Sequence, residues 1–229
     1  MLTVVFMKWL DARGRWNAHY TYGADHVNRA RRMVDRHLHI PHKFVLGTND
    51  SVGVDKDIGI VPLRHDLLAL GHRWPKLVLF APDAHDLFGE NILYLDLDLV
   101  ILADITPLIT QHDFRILKAF TKRMPYNSSM ILLRAGSRSK VWNEFEPVKA
   151  PALVAENGIS ASDQYWIAKA LGEHEATWDQ RDGVLLYREK TLGLSGPPAG
   201  TRIVFFPGPV DPSMAEMQQR HQWIVDNWC

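Results

Sequence analysis

Three observations predict a single α/β domain with a mostly parallel central sheet flanked by helices. An apolar run at residues 2–7 is followed by an amphipathic segment at 22–38 and a second apolar run at 43–46, the strand, helix, strand order that opens a parallel sheet. Residues 91–105, NILYLDLDLVILADI, deliver two carboxylates, Asp96 and Asp98, from the end of an apolar run. The chain has 229 residues, 46% hydrophobic and 23% charged, enough for one large domain that buries roughly three quarters of its unfolded surface.

The elements follow in order. The helix expected over 22–38 sets Val27, Ala30, Val34 and Leu38 on one face and arginines on the other, and Pro41 closes it. A strand at 43–46 ends in Gly47-Thr48-Asn49-Asp50, and another at 58–61 stops before Pro62. Residues 74–80 read as a short helix with Pro75 in its first turn. The strand at 92–95 leads to the two carboxylates, and 105–109 is a turn or short helix. Beyond it, strands are expected at 114–119 and 129–133 and helices at 137–145 and 162–171, the second with Ile167, Ala170 and Leu171 inward. Strands at 184–187 and 202–206, a turn-rich loop at 193–200 and a helix at 214–228 complete the chain. No repeat, heptad or shift in composition divides residues 1–229, so one domain is expected.

Lysine plus arginine and aspartate plus glutamate are both 26, so no global basic field points to nucleic acid or anionic membrane. The opening MLTVVFMKWL is too short for a secretory leader, and no window reaches the length of a membrane span. A cytoplasmic protein with no transmembrane segment is the expectation. The single cysteine, Cys229, excludes an internal disulfide and is too isolated for a zinc site.

In a strand, residues i and i+2 point to the same side, so Asp96 and Asp98 converge. Open α/β sheets place their ligands at the C-terminal ends of strands. Two carboxylates beside apolar residues are costly, and a hard divalent cation with phosphate oxygens is the usual partner that removes the cost. Asp96-Leu97-Asp98-Leu99-Val100 also satisfies the Asp-x-Asp-x-Thr/Val string of haloacid-dehalogenase-type phosphatases. That mechanism needs a further acidic pair on a later strand end, and none follows Asp98.

Seven segments in order carry a resemblance: a first strand ending near Lys8-Trp9, then YTYGADHVN (20–28), PHKFVLGTND (41–50), Trp74-Pro75-Lys76-Leu77 with Leu79-Phe80, residues 94–100, Tyr126-Asn127-Ser128-Ser129-Met130, and Ser162-Asp163-Gln164. The chain resembles glycosyltransferases of the A fold, in particular family 8, the glycogenin and bacterial galactosyltransferase group, and its small bacterial or phage relatives. The resemblance implies that Asp96 meets the ribose or metal and that Asp98 coordinates Mn2+ or Mg2+ bridging the donor diphosphate. It further implies that Asp163 and Gln164 line the donor sugar near its anomeric carbon, and that the configuration there is retained, though no nucleophile is evident. The implied activity is metal-dependent transfer of a hexose from a nucleotide diphosphate sugar, UDP before GDP, to a sugar or other hydroxyl acceptor.

The remaining candidates each have a structural alternative. Thr48, Asn49 and Asp50 offer hydroxyl, amide and carboxylate to a base or ribose, yet all three are favoured in any turn. Lys76 neutralises phosphate or is a surface lysine. Asn127 and Ser129 share one face and suit sugar hydroxyls, or belong to a turn. Asp163 lines the donor or closes a capping box with Ser160. Trp9, Trp16 and Tyr22 stack on a ring or fill the core. The family's closing His-Gly-x-x-Lys-Pro string is replaced here by Pro207-Gly208-Pro209-Val210-Asp211-Pro212, so its metal-binding histidine and diphosphate-binding lysine are both absent. Asp211 then either completes the metal shell with Asp96 and Asp98 or points to solvent, with His221 as another possible ligand, and the cationic clamp falls to Lys8, Lys76 or Arg202. A protein that binds a nucleotide sugar without transferring it is the alternative function, and a phosphatase the third.

Overall fold

The structure is a computed structural model that describes residues 1–10, 22–71, 73–120, 124–158, 162–188 and 196–229. Strand β1 (Leu2–Lys8) is buried along its whole length, as expected of a strand with apolar neighbours on both faces. It pairs in parallel with β2 (His42–Thr48) on one side and β4 (Asn91–Leu95) on the other. Outside β2 lies β3 (Gly59–Pro62), also parallel. On the far side of β4, β7 (Tyr126–Arg134) runs antiparallel to both β4 and β6 (Phe114–Lys118), and β8 (Thr177–Trp178) continues parallel to β6. The order of this seven-stranded sheet is β3-β2-β1-β4-β7-β6-β8. A second sheet, β5-β10-β9, is built from β5 (Leu99–Ile101), β9 (Val184–Leu186) and β10 (Ile203–Phe205).

The sheet divides the core in two. Val4 and Phe6 of β1 face Val27, Met33 and Val34 of helix α1 (Ala24–His37) together with Val100 and Val204 of the second sheet. Val5 and Met7 face the other half, with Leu77 and Phe80 of a 3-10 helix at Trp74–Phe80 and Ile167 of a helix at Ser162–Leu171. Alternate residues of one strand thus seed the two halves, the period-two signature of a central strand.

Three expected helices differ from what forms. The stretch at 137–145 is helical only over Lys140–Asn143. Residues 74–80 wind as 3-10, with every side chain buried between sheet and helices. The C-terminal helix is two helices, Ala215–Arg220 and Gln222–Asn227, because His221 between them is extended (φ −134°, ψ 94°) and buried, its Nε2 2.9 Å from the Tyr187 hydroxyl. Five further pieces were not anticipated. β5 hides inside the apolar run that contains β4, β8 has two residues, α-helices at His65–Ala69 and Ala84–Phe88 have five each, and the helix at Lys149–Glu156 carries Pro151 in its first turn. Among the described residues no helix is long and apolar enough to cross a membrane.

Candidate active site at the end of the fourth strand

Asp96 and Asp98 sit where the chain passes from one sheet to the other. The Asp96 N–H donates to the Ser129 carbonyl at 2.9 Å, which ties it to β7, and the Asp98 carbonyl accepts from the Phe206 N–H at 2.8 Å, just past β10. Asp96 Oδ1 receives Lys76 Nζ at 2.6 Å and the Tyr94 hydroxyl at 2.5 Å, and the Ser129 side chain also hydrogen-bonds to this carboxylate. Burial pushes the Asp96 carboxyl up, but the charge and hydrogen bond of Lys76 outweigh it and hold the group below the usual carboxylate range.

The same lysine reaches a second acid. Lys76 Nζ is 3.7 Å from Asp163 Oδ2, which also accepts from the Ser128 hydroxyl at 2.5 Å. Asp163 has no solvent exposure, and its Oδ1 has no hydrogen-bond partner among the described residues. β6 and β7 slip in register here, with Ile116 opposite Ile131 but Leu117 opposite Asn127. That irregularity frees the β7 segment bearing Ser128 from the ladder with β6.

Asp98 has the opposite electrostatics. Burial, and then the charge of Asp96, raise its carboxyl well above the usual range, so the site favours a bound proton. Its Oδ2 accepts from the Tyr22 hydroxyl at 3.1 Å, while its Oδ1 is buried with no hydrogen-bond partner. Burial and the Asp98 charge likewise raise Tyr22, which stays a donor. An orphaned carboxylate oxygen beside a second carboxylate fits a hard divalent cation, which would take the proton's place.

Asp211 faces inward. Its Oδ1 accepts from the Ser213 N–H at 2.8 Å and lies 3.2 Å from His26 Nε2. His26 Nδ1 accepts from the Gly23 N–H at 3.3 Å, which places the imidazole proton on Nε2 and makes it the donor to Asp211. Burial pushes the Asp211 carboxyl up, and the bonds from His26 and Ser213 bring it below its ordinary value. Its charge raises both Asp98 and Tyr22, so it belongs to the same electrostatic neighbourhood.

Solved structures share this architecture. The galactosyltransferase LgtC, in complex with donor and acceptor sugar analogues, superposes with a TM-score of 0.61 over 98% of this chain and 96% of its own, at 11% identity. The glycosyltransferase GlyE of Streptococcus pneumoniae TIGR4 gives 0.63 over the whole of this chain, which spans 62% of GlyE, at 13% identity. This is a glycosyltransferase A-type fold. No protein-family model matches the sequence, and no curated protein matches it.

Within this A-type frame the residues expected from the sequence fall into three groups. Asp96, Asp98, Lys76, Asp163 and Ser129 converge at the end of β4, and Gln164 follows Asp163 half-buried. The nucleotide candidates on β1 and β2 are already engaged. Lys8 Nζ is buried 2.8 Å from Asp50 Oδ2, and Asn49 exchanges two hydrogen bonds with the Leu10 backbone at 2.9 and 3.0 Å. The Thr48 hydroxyl donates to the Asp50 carbonyl at 2.8 Å and accepts from the Asp50 N–H at 2.9 Å, a closed turn. Asn127 Oδ1 accepts from the Ser129 N–H at 2.8 Å, so this amide oxygen also serves a turn.

A third group departs from expectation. No three His, Cys, Asp or Glu side chains among the described residues are grouped to hold an ion, and of the two fates expected for Asp211 the exposed one is excluded, since its side chain is 17% exposed. Its carboxylate is held by His26 and the Ser213 N–H instead. His221 turns to Tyr187, and Arg202 precedes β10, at the end remote from Phe206, where its guanidinium donates to the Asp104 carbonyl. Trp9 packs half-buried against the core. Trp16, and Ser160 of the expected capping box, lie outside the described residues. Sequence reading passed over Ser128, Tyr94 and His26. Only Tyr94 carried a signal, because at two residues before Asp96 it shares that side of the strand.

Proposed function

We propose that this protein transfers a hexose from a nucleotide diphosphate sugar, with UDP as the nucleotide, to a hydroxyl acceptor. The observation that carries this reading is the placement of Asp96, Asp98, Lys76 and Asp163 at one strand end of an A-type fold. Asp96 and Asp98 would hold Mn2+ or Mg2+, which when bound acts as a Lewis acid on the leaving diphosphate. The chain's own residues supply the rest. Tyr94, Ser129 and Lys76 fix the orientation of Asp96. Lys76 and Ser128 fix Asp163 beside the site, and its unpartnered Oδ1 is the atom left to accept a hydrogen bond from a sugar hydroxyl. Retention at the anomeric carbon belongs to the same proposal.

Calorimetric titration of manganese with UDP tests it. Wild type is expected to bind both together, Asp98→Asn to lose metal-dependent nucleotide binding while keeping its fold, and Asp163→Asn to keep binding but lose turnover by at least a hundredfold. Unchanged affinity in Asp98→Asn overturns the assignment. A second reading, binding without transfer, is favoured by Pro207 and Asp211 standing where the resembling family has histidine and lysine. Release of UDP from UDP-hexose in the presence of manganese separates the two: turnover supports the transferase, and tight binding without release supports the binding protein.

A further inference from the structure

The C-terminal edge of the main sheet continues past the carboxylates to β6 and β8. There Lys118, Ala119, Phe120, Asp179, Gln180 and Arg181 line a cleft of about 240 Å³. Because β7 lies between β4 and β6, the end of β6 is two strand spacings, roughly 10 Å, from the end of β4. Lys118 pairs with Tyr126, and the Ala119 N–H donates to the Pro125 carbonyl at 3.0 Å, so the cleft adjoins the end of β7 that supplies Ser128 and Ser129.

Its size and chemistry are specific. A drug-sized pocket takes roughly 300–1,000 Å³, so this cleft is on the scale of one sugar ring. Phe120 is half-buried against the half of the core that holds β5 and β10, and offers an apolar surface. The same cleft is lined by planar polar groups. Asp179 Oδ2 receives the Arg181 guanidinium at 2.7 Å, and Asp179 Oδ1 accepts the Arg181 N–H at 2.9 Å. The Asp179 N–H donates to Asp182 Oδ2 at 2.9 Å, so the turn is braced from both directions. Gly183 then leaves it in the left-handed region (φ +79°), where an added Cβ would meet the Gly200 carbonyl at 2.5 Å. The result is a fixed carboxylate, a guanidinium and the exposed Gln180 amide around one apolar face.

A pyranose has an apolar C–H face and a rim of hydroxyls that both donate and accept, and this cleft complements both. Arg181 is paired with Asp179, so its guanidinium meets a ligand as part of a neutral pair and not as a free charge. We propose that the cleft is an acceptor subsite for a saccharide ring. Its distance from Asp96 places that ring at least one unit away from the hydroxyl that receives the hexose, so the acceptor is an oligosaccharide rather than a lone monosaccharide. The assignment as an acceptor subsite rests on the glycosyl-transfer reading, whereas saccharide binding there does not.

The two are tested separately by nuclear magnetic resonance titration of the full chain with lactose, maltose and cellobiose, beside a parallel titration with UDP-hexose and manganese. At least one disaccharide is expected to move the amide signals of Lys118, Phe120 and Gln180. Phe120→Ala is expected to weaken it at least tenfold and Gln180→Ala several-fold, while both variants bind UDP-hexose as wild type does. Gln180 is exposed, so its variant keeps the test alive if Phe120→Ala fails to fold. The subsite is overturned if no disaccharide moves those signals, or if the folded variants bind it unchanged. If UDP-hexose fails to bind wild type, the glycosyl-transfer reading falls, and the saccharide site is judged from the disaccharide arm alone.

Discussion

Lys76 is shared between two acids that are remote in sequence: its Nζ lies 2.6 Å from Asp96 Oδ1 and 3.7 Å from Asp163 Oδ2, with only 5% of the side chain exposed. One cation therefore compensates two carboxylates, and neither acid is independent of the other. Lys76→Met removes that compensation and leaves buried charge behind, a change expected to cost about 3–5 kcal/mol. Urea unfolding at pH 7 measures it. A loss below about 1 kcal/mol would show that the carboxylates are solvated and that the cluster is not a unit.

Ser128→Ala tests the second support of Asp163. The hydroxyl donates to a carboxylate with no solvent exposure, and its removal leaves Lys76 at 3.7 Å as the remaining partner of Oδ2. An expected loss of about 1–3 kcal/mol follows from an unmade bond to a buried charge. The urea midpoint should move while the slope of the transition stays constant.

The pH dependence of stability carries opposite contributions from the two acids of the pair. Asp98 has its folded pKa raised, so the native state binds more protons than the unfolded state once the pH exceeds about 4. Its contribution is fully present below that value and is lost as pH rises through the folded pKa. Asp96, with its folded pKa lowered, gives a contribution present above about 4 and lost on acidification. Asp98→Asn should therefore raise the melting temperature at pH 7 and flatten its decline as the pH rises above about 4. A variant that melts lower than wild type at pH 7, with the same slope, rules out the buried-proton account.

His26 and Asp211 should be coupled in a double-mutant cycle. His26→Ala and Asp211→Asn each remove one end of a bond whose side chains are 11% and 17% exposed. The two losses are expected to overlap by about 0.5–3 kcal/mol. Strict additivity would mean that the imidazole and carboxylate do not act on one another.

Asn49→Ala distinguishes a clamp from a ligand. Its amide is occupied by the Leu10 backbone, so the expected effect is about 1 kcal/mol of stability with UDP affinity within twofold of wild type. A tenfold loss of UDP affinity would return Asn49 to the nucleotide.

Periodicity located β1, β2, β4 and α1 because each buries a regular face, and those elements alone set the frame around Asp96 and Asp98. It also located the segment bearing Asp163. It did not reveal Ser128 as the partner of Asp163, because that pairing sits at a register slip against β6 that leaves no mark in a single strand's pattern. Nor did it reveal His26 opposite Asp211, a contact across 185 residues. Side chains whose chemistry is local were legible, whereas those whose partner is chosen by topology were not. Asn49 and Asp50 fall under the same limit, since their partners Leu10 and Lys8 come from the first strand and the residues just after it, whereas the turn at Thr48 is local and was legible as such.

Asp96 is anchored through its N–H to β7 and Asp98 through its carbonyl to the residue after β10, so the two acids report on different sheets. The pair therefore works as a caliper. Its jaws belong to separate β-layers, so its opening depends on how those layers seat on one another as well as on the single leucine between them. Substitutions at Val204 or Phe205, buried in the smaller layer and far from Lys76 in the chain, are therefore expected to be felt in the gap between the acids.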